Sequence, residues 1–263
     1  MFSLNNKTVL ITGASSGIGY ELARLFARNK YNLVLVARNL SRLNQMAQEF
    51  SRDFGISSKV ISKDLSEPSA SSEIFKELES ASIHLDILVN NAGFGIYGLF
   101  WETDLKAERD LIEVNVASVT QLTRLFLPEM IRKKSGKILN VASTAAFQPG
   151  PLMATYFASK AYVLFFSEAL ANELKGTGIT VTALCPGPTQ TDFQRRSKTE
   201  NIREGSLGLM KADQVAKAGY EGLMKGTVVV IPGFLNKFTA FIIRFLPRNF
   251  VTKLVRWVEE GSL

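Results

Sequence analysis

The chain has 263 residues, 46% of them hydrophobic and 21% charged, and a formal net charge of +7. That length supports a substantial core in one large domain, and the proportions are those of a soluble globular protein. The single cysteine, Cys185, excludes an internal disulfide and a Cys-rich zinc site, and the single histidine, His84, argues against a histidine-based one, so no metal is expected and a reducing, cytoplasmic setting is.

Short β-rich runs alternate with longer amphipathic stretches. Strands are predicted at 8–12 (TVLIT), 32–37 (NLVLVA), 58–62 (SKVIS), 86–90 (DILVN), 137–142 (KILNVA), 179–184 (ITVTAL) and 227–231 (TVVVI). Helices are predicted at 17–29, 39–54, 67–81, 104–133, 155–175 and 212–224. Each strand run reads as apolar on both faces, which fits parallel strands covered by helices on both sides. The run at 8–12 reads as a strand and not as the apolar region of a secretory signal. The longest uncharged stretch, Ile138–Ser159, contains Asn140, Gln148 and Pro149-Gly150-Pro151, and makes a poor membrane span. No low-complexity linker divides the chain, and no dense Lys/Arg run of the nucleic-acid-binding kind occurs, so a nucleic-acid partner is not expected. The polar segment 187–211 breaks the rhythm and reads either as a lid over a site or as a surface insertion.

The first strand runs straight into T-G-A-S-S-G-I-G, residues 12–19, and then into a helix. Gly13 permits the tight turn, Gly17 allows close approach of a ligand, and Gly19 allows the helix to pack on the sheet. Ser15, Ser16 and Ile18 lie in the same turn. The N–H groups at the helix start then face a pyrophosphate, which makes this a dinucleotide site. An acid at the end of the second strand would select NAD, but the strand ends Val36-Ala37-Arg38. A guanidinium suits a 2′-phosphate, so NADP(H) is the expected cofactor; the plainer reading has Arg38 facing water at a helix start. Asp64 and Leu65, after the third strand, border the adenine, or Asp64 caps the next helix, or both.

With that turn, N-N-A-G at 90–93, Asn115 within V-N-V, Ser143, Y-F-A-S-K at 156–160 and P-G-P-T-Q-T at 186–191, the chain resembles the short-chain dehydrogenase/reductases. The likeness runs from about residue 5 to 233, with the motifs in family order and spacing. It implies an α/β fold, a Rossmann-type doubly wound parallel sheet of seven strands in a single domain. It also implies a catalytic group of Asn115, Ser143, Tyr156 and Lys160, with nicotinamide contacts from Pro186, Gly187, Thr189 and Thr191. Asn91, Ala92 and Gly93 would lie along the cofactor ribose. The catalytic NADP(H)-binding part is then 1–233, with a helical C-terminal extension at 234–263.

Residues i and i+4 share a helix face, which sets Lys160 beside Tyr156. Forming a phenolate from an ordinary tyrosine at pH 7 costs roughly 4 kcal/mol. A cation about 4 Å away contributes about 4 kcal/mol at an effective dielectric of ~20. Lys160 and the positive oxidised nicotinamide can therefore bring Tyr156 near working pH, as general acid in reduction and base in oxidation. Ser143 can hold the substrate oxygen as charge develops. Asn115 either bonds to backbone or, as the family likeness implies, holds a water beside Lys160.

Phe94, Tyr97, Ala145, Phe147, Met153 and Phe193 are expected to border the substrate, which points to a small apolar carbonyl or alcohol: steroid-like, fatty-acyl or alkyl. The helix carrying Tyr156 continues AYVLFF and is apolar around much of its circumference, so a second subunit is expected to cover it, in a homodimer or homotetramer. The tail 234–259 interleaves Phe238, Phe241, Ile242, Phe245, Phe250, Leu254 and Trp257 with Lys237, Arg244, Arg248, Lys253 and Arg256. It fits a basic amphipathic pair at a membrane surface, a cap on the substrate site, or a contact with a neighbouring subunit. The leading reading is an NADP(H)-dependent oxidoreductase; the alternative is a catalytically silent NADP(H) sensor or scaffold on the same fold.

Overall fold

The computed structural model describes residues 7–191, 193 and 209–261. Seven parallel strands form one sheet: β1 (Thr8–Thr12), β2 (Asn32–Ala37), β3 (Ser58–Ser62), β4 (Ile87–Asn90), β5 (Gly136–Val141), β6 (Ile179–Leu184) and, late in the chain, β9 (Val229–Val230). Their order is β3-β2-β1-β4-β5-β6-β9. The chain steps outward from β1 to β3, then crosses back to build the other half from β4. Direction therefore reverses between β1 and β4, where a doubly wound sheet opens a crevice at its strand ends.

Alternate side chains along each strand feed two cores. Val9, Ile11, Leu33, Leu35 and Val89 pack against α1 (Gly17–Arg28), α2 (Leu40–Phe54) and α7 (Ala212–Lys225). Leu10, Val34, Val36, Leu88 and Ile138 face the other way, onto α3 (Ala70–Ser80) and α5 (Ser118–Lys133). The expectation of two apolar faces fails at the two edge strands, each paired on one side only: β3 is only partly covered, and β9 is two half-buried residues.

Two predicted helices differ. The third begins at Ala70 and not at 67, because Asp64 turns the chain by accepting from the Ser66 N–H (3.0 Å) and hydroxyl (2.9 Å), and Ser69 precedes the helix. Asp64 therefore shapes a turn and does not cap the helix. The long helix predicted at 104–133 is interrupted: α4 (Leu105–Ile112) passes through a π-helical turn, Glu113–Ala117, before α5.

After β5 comes a short 3₁₀ turn, Thr144–Phe147, and then α6 (Ala154–Glu173). Two short strands, β7 (Thr189–Gln190) and β8 (Met210–Lys211), pair in parallel beside the sheet. Most of the predicted lid at 187–211 lies outside the described residues. The tail forms α8 (Phe234–Ile242), a 3₁₀ turn (Ile243–Phe245) and α9 (Arg248–Glu259). Val251 and Val255 of α9 are buried in a cluster with Leu111, Met153, Tyr156 and Phe157, and the Tyr97 hydroxyl donates to the Glu259 carbonyl at 2.8 Å.

Candidate active site

The glycine turn is set by close approach. Gly13 (φ +63°) and Gly17 (φ +54°) occupy the left-handed region, which glycine enters at little cost. A Cβ on Gly19 would stand 2.3 Å from the Gly13 carbonyl oxygen and 2.5 Å from Asn91 Nδ2. The turn is stapled to β4: Asn91 Nδ2 donates to the carbonyls of Thr12 (2.8 Å) and Gly13 (3.2 Å), while the Asn91 and Ala92 N–H groups both donate to Thr12 Oγ1 at 3.0 Å. Sequence reasoning missed Thr12 as the hub of this junction; the pairing of T-G with N-N-A-G was the available signal. Gly19→Ala is expected to lower stability by about 1–3 kcal/mol and to weaken dinucleotide binding. Urea unfolding and nucleotide titration check this, and a change below measurement error in both contradicts it.

A cleft of about 990 Å³ opens above this turn. Gly13, Ser15, Ser16, Gly17, Ile18, Gly19, Arg38, Asp64, Leu65, Asn91, Ala92, Gly93, Ser143, Tyr156, Lys160, Pro186, Gly187, Thr189 and Thr191 all line it. The first N–H groups of α1, which have no intrahelical acceptor, lie at this cleft and are suited to a phosphate. The glycine cradle, the helix start and the volume of the cleft fit a dinucleotide.

At the β2 end, Arg38 is mostly exposed and lies 3.6 Å from Asp64. Burial raises the Asp64 pKa, but the bonds from Ser66 and the charge of Arg38 outweigh it and hold the carboxyl below its ordinary value. Arg38 thus faces solvent and an acid at once. Arg42 and Lys63 line the same end, cations that the sequence reading did not single out because their approach depends on how α2 and β3 pack.

At the other end Tyr156 and Lys160 are both buried on α6. The Lys160 ammonium donates to the Val141 carbonyl at 2.9 Å and stands 5.8 Å from the centre of the Tyr156 ring. Its position beside the tyrosine agrees with the i, i+4 spacing, but β5 holds it, a contact no local pattern reveals. Burial lowers the Lys160 pKa to about 8, with a smaller opposing effect from Cys185. Burial also pushes the Cys185 thiol up to about 12, which removes it as a nucleophile. Ser143 lines the cleft; its Oγ accepts from the Ala145 N–H at 3.1 Å and donates to the Pro186 carbonyl at a long 3.4 Å.

Asn115 does not line the cleft; it is buried behind it in the π-helical turn. Its amide nitrogen donates to the Phe94 carbonyl and to Ser159 Oγ, both at 3.0 Å, and its oxygen accepts from the Phe94 N–H at 3.1 Å. The backbone-bonding alternative is therefore present. A Cβ on Gly93 would lie 3.1 Å from that oxygen and 3.2 Å from Lys160 Nζ, so Asn115 and Lys160 meet around Gly93. π-Turns of this kind recur at functional sites.

Of the expected substrate neighbours, Phe94 and Phe193 line the cleft, and the Phe193 ring lies 5.3 Å from Tyr156. Ala145 and Met153 are buried beside Tyr156 in the cluster beneath. Tyr97 belongs to the same cluster but spends its hydroxyl on α9. Phe147 is a correction: it lines a separate groove of about 630 Å³ between α6 and the tail and not the cleft, because the 3₁₀ turn that carries it, Thr144–Phe147, packs beside α6. Among the described residues no group of three or more metal-ligating side chains occurs.

The parallel sheet, the glycine turn at its switch point, and a serine, tyrosine and lysine at one end of the cleft define a nucleotide-dependent oxidoreductase acting on carbonyl and alcohol groups. The family model for short chain dehydrogenase matches residues 7–202, and the chain belongs to that family. It is 35% identical to the ketoacyl reductase HetN of a Nostoc species over 88% of this chain and 80% of that protein. It is 30% identical to the very-long-chain 3-oxoacyl-CoA reductase of Anas platyrhynchos over 94% of this chain and 78% of that one. Among solved structures it resembles a short-chain dehydrogenase from Sphingobium yanoikuyae in complex with NADPH, with a TM-score of 0.81 and 31% identity over 92% of this chain and 97% of that one.

Proposed function

We propose that the protein is an NADPH-dependent reductase of an apolar ketone, with an acyl or alkyl chain beside the carbonyl. The observation that carries this reading is that Ser143, Tyr156 and Lys160 converge where the dinucleotide cleft meets an apolar wall of Phe94, Phe193 and the cluster under α9. The names of the ketoacyl and 3-oxoacyl-CoA reductases that the chain resembles support the acyl choice among apolar ketones. When bound, the nicotinamide supplies the hydride. Ser143 donates to the carbonyl oxygen and holds it toward Tyr156. Tyr156 gives that oxygen its proton. The Lys160 ammonium, fixed by Val141, stabilises the phenolate left behind, and Asn115 fixes the Phe94 loop and the space around Lys160.

The test is steady-state NADPH oxidation against ketones of rising chain length. Each added CH₂ that reaches the apolar wall is expected to raise kcat/KM by about fourfold, from about 0.8 kcal/mol of burial. Equal rates for short polar and long apolar ketones contradict the substrate assignment. NADP(H) is favoured over NAD(H) by Arg38, with Arg42 and Lys63 beside it. Arg38→Ala with Arg42→Ala is expected to raise the KM for NADPH by about 10- to 100-fold and to leave that for NADH nearly unchanged. An equal loss for both nucleotides refutes the 2′-phosphate role.

A homodimer or homotetramer is part of the same proposal. Phe165 and Tyr162 of α6 remain 65% and 38% exposed in the single chain, and a second copy would cover them. A cytoplasmic setting goes with a buried free thiol.

A further inference from the structure

Each tail helix turns one side inward and an apolar stripe outward. On α9, Val251 and Val255 face inward under Tyr156, while Phe250, Leu254, Trp257 and Val258 are exposed at spacings of four, three and one along the helix. On α8 and the turn after it, Asn236 and Ala240 are buried, while Phe234, Leu235, Phe238, Phe241, Ile242 and Phe245 form the outward stripe. Helical periodicity puts each outward set on one face. Phe234 is 83% exposed and Phe245 is 68% exposed, far more than a buried-core role would leave. Single exposed apolar residues are ordinary, but a continuous aromatic stripe marks an interaction surface.

The charges name the partner. From Phe234 to Val258 the chain carries Lys237, Arg244, Arg248, Lys253 and Arg256 and no carboxylate. Lys237 and Arg244, seven residues apart, flank the α8 stripe on one side. A second copy docked through this face would bring cations together with no acid in the stripe to pair them. An anionic bilayer supplies both an apolar interior for the aromatics and phosphates for the cations. No described helix is long and apolar enough to cross a membrane, so contact is in the plane of the surface.

We infer that α8 and α9 dock on an anionic lipid surface through the Phe234–Phe245 stripe and its basic flank. Lipid docking itself does not depend on the proposed reaction; only the delivery of an apolar substrate from the bilayer rests on that reading. It gives the tail two sides: the inner valines wall the space beneath Tyr156, and the outer aromatics enter the headgroup layer. An apolar substrate dissolved in the bilayer then meets the enzyme beside its own pocket wall.

The experiment is co-sedimentation of the full chain with phosphatidylcholine vesicles and with vesicles containing about 30% phosphatidylglycerol. The protein is expected to pellet with the anionic vesicles, at least tenfold more than with the neutral ones, and to be released by high salt. Phe238→Ser with Phe241→Ser and Phe245→Ser is expected to lower binding at least tenfold. Lys237→Gln with Arg244→Gln and Lys253→Gln is expected to remove the preference for anionic lipid. Unchanged NADPH titration and circular dichroism show that each variant is folded. Absence of wild-type binding to either vesicle, or equal binding by the folded serine variant, overturns the inference. So does a wild type that ignores vesicles but self-associates through this face, shown by a serine variant that turns monomeric.

Discussion

Tyr156→Phe is expected to lower kcat for ketone reduction by about three orders of magnitude and to leave the fold intact. The substitution removes one hydroxyl and keeps the ring. That ring is nearly buried, packs 5.3 Å from Phe193 and 6.0 Å from Phe157, and anchors the cluster that α9 covers. Packing is therefore conserved, and loss of one hydroxyl changes stability by about 1 kcal/mol. NADPH affinity is expected to stay within about threefold, well under the loss in rate, because the phosphate-facing turn lies at the far end of the cleft. The split between an unchanged binding constant and a collapsed kcat separates a proton donor from a structural tyrosine. A variant that keeps most of its kcat removes Tyr156 from the chemistry.

Lys160→Met is expected to abolish most activity, by about two to three orders of magnitude, while leaving the nucleotide-free protein at least as stable at pH 7. The folded Lys160 pKa, about 8, is well below the ordinary 10.5. Below pH 8 the folded protein buries a charged ammonium, and the cost is fully present, about 3 kcal/mol for a displacement of this size. Between about pH 8 and 10.5 the folded state releases the proton before the unfolded state does, so this cost fades and stability from this group rises with pH. Methionine fills the same space without the charge, but leaves the Val141 carbonyl without its donor, at about 1–3 kcal/mol. The two effects nearly offset each other at pH 7. Urea unfolding at pH 7 and pH 10 is the check: the wild type should gain on the variant as pH rises. A wild type that loses ground over that window contradicts the buried-charge account. A stable but inactive variant shows that Lys160 is kept for chemistry and not for the fold.

What could be read from the sequence was what is local. The strands at 8–12, 32–37, 58–62 and 179–184 fall where their apolar runs place them, and the glycine turn follows from a strand, three spaced glycines and a helix. The π-helical turn at Asn115 was hidden because its cause, the bonds to Phe94 and Ser159, joins distant parts of the chain. Thr12 as a hub and Val141 as the acceptor for Lys160 were hidden for the same reason. Phe147 was misplaced because a composition argument gives no direction to a side chain on a 3₁₀ turn. In the tail, the periodicity showed two helices, but only the packing of Val251 and Val255 shows which stripe turns inward.

The most direct measurement uses NADPH deuterated at the transferable position of the nicotinamide, a long-chain apolar ketone and the wild-type enzyme, with the alcohol product examined by mass spectrometry. The account predicts one deuterium on the former carbonyl carbon, at a rate that Tyr156→Phe collapses. Tight NADPH binding with no deuterium in any product, across ketones of several chain lengths, contradicts it and leaves a protein that holds the nucleotide without using it.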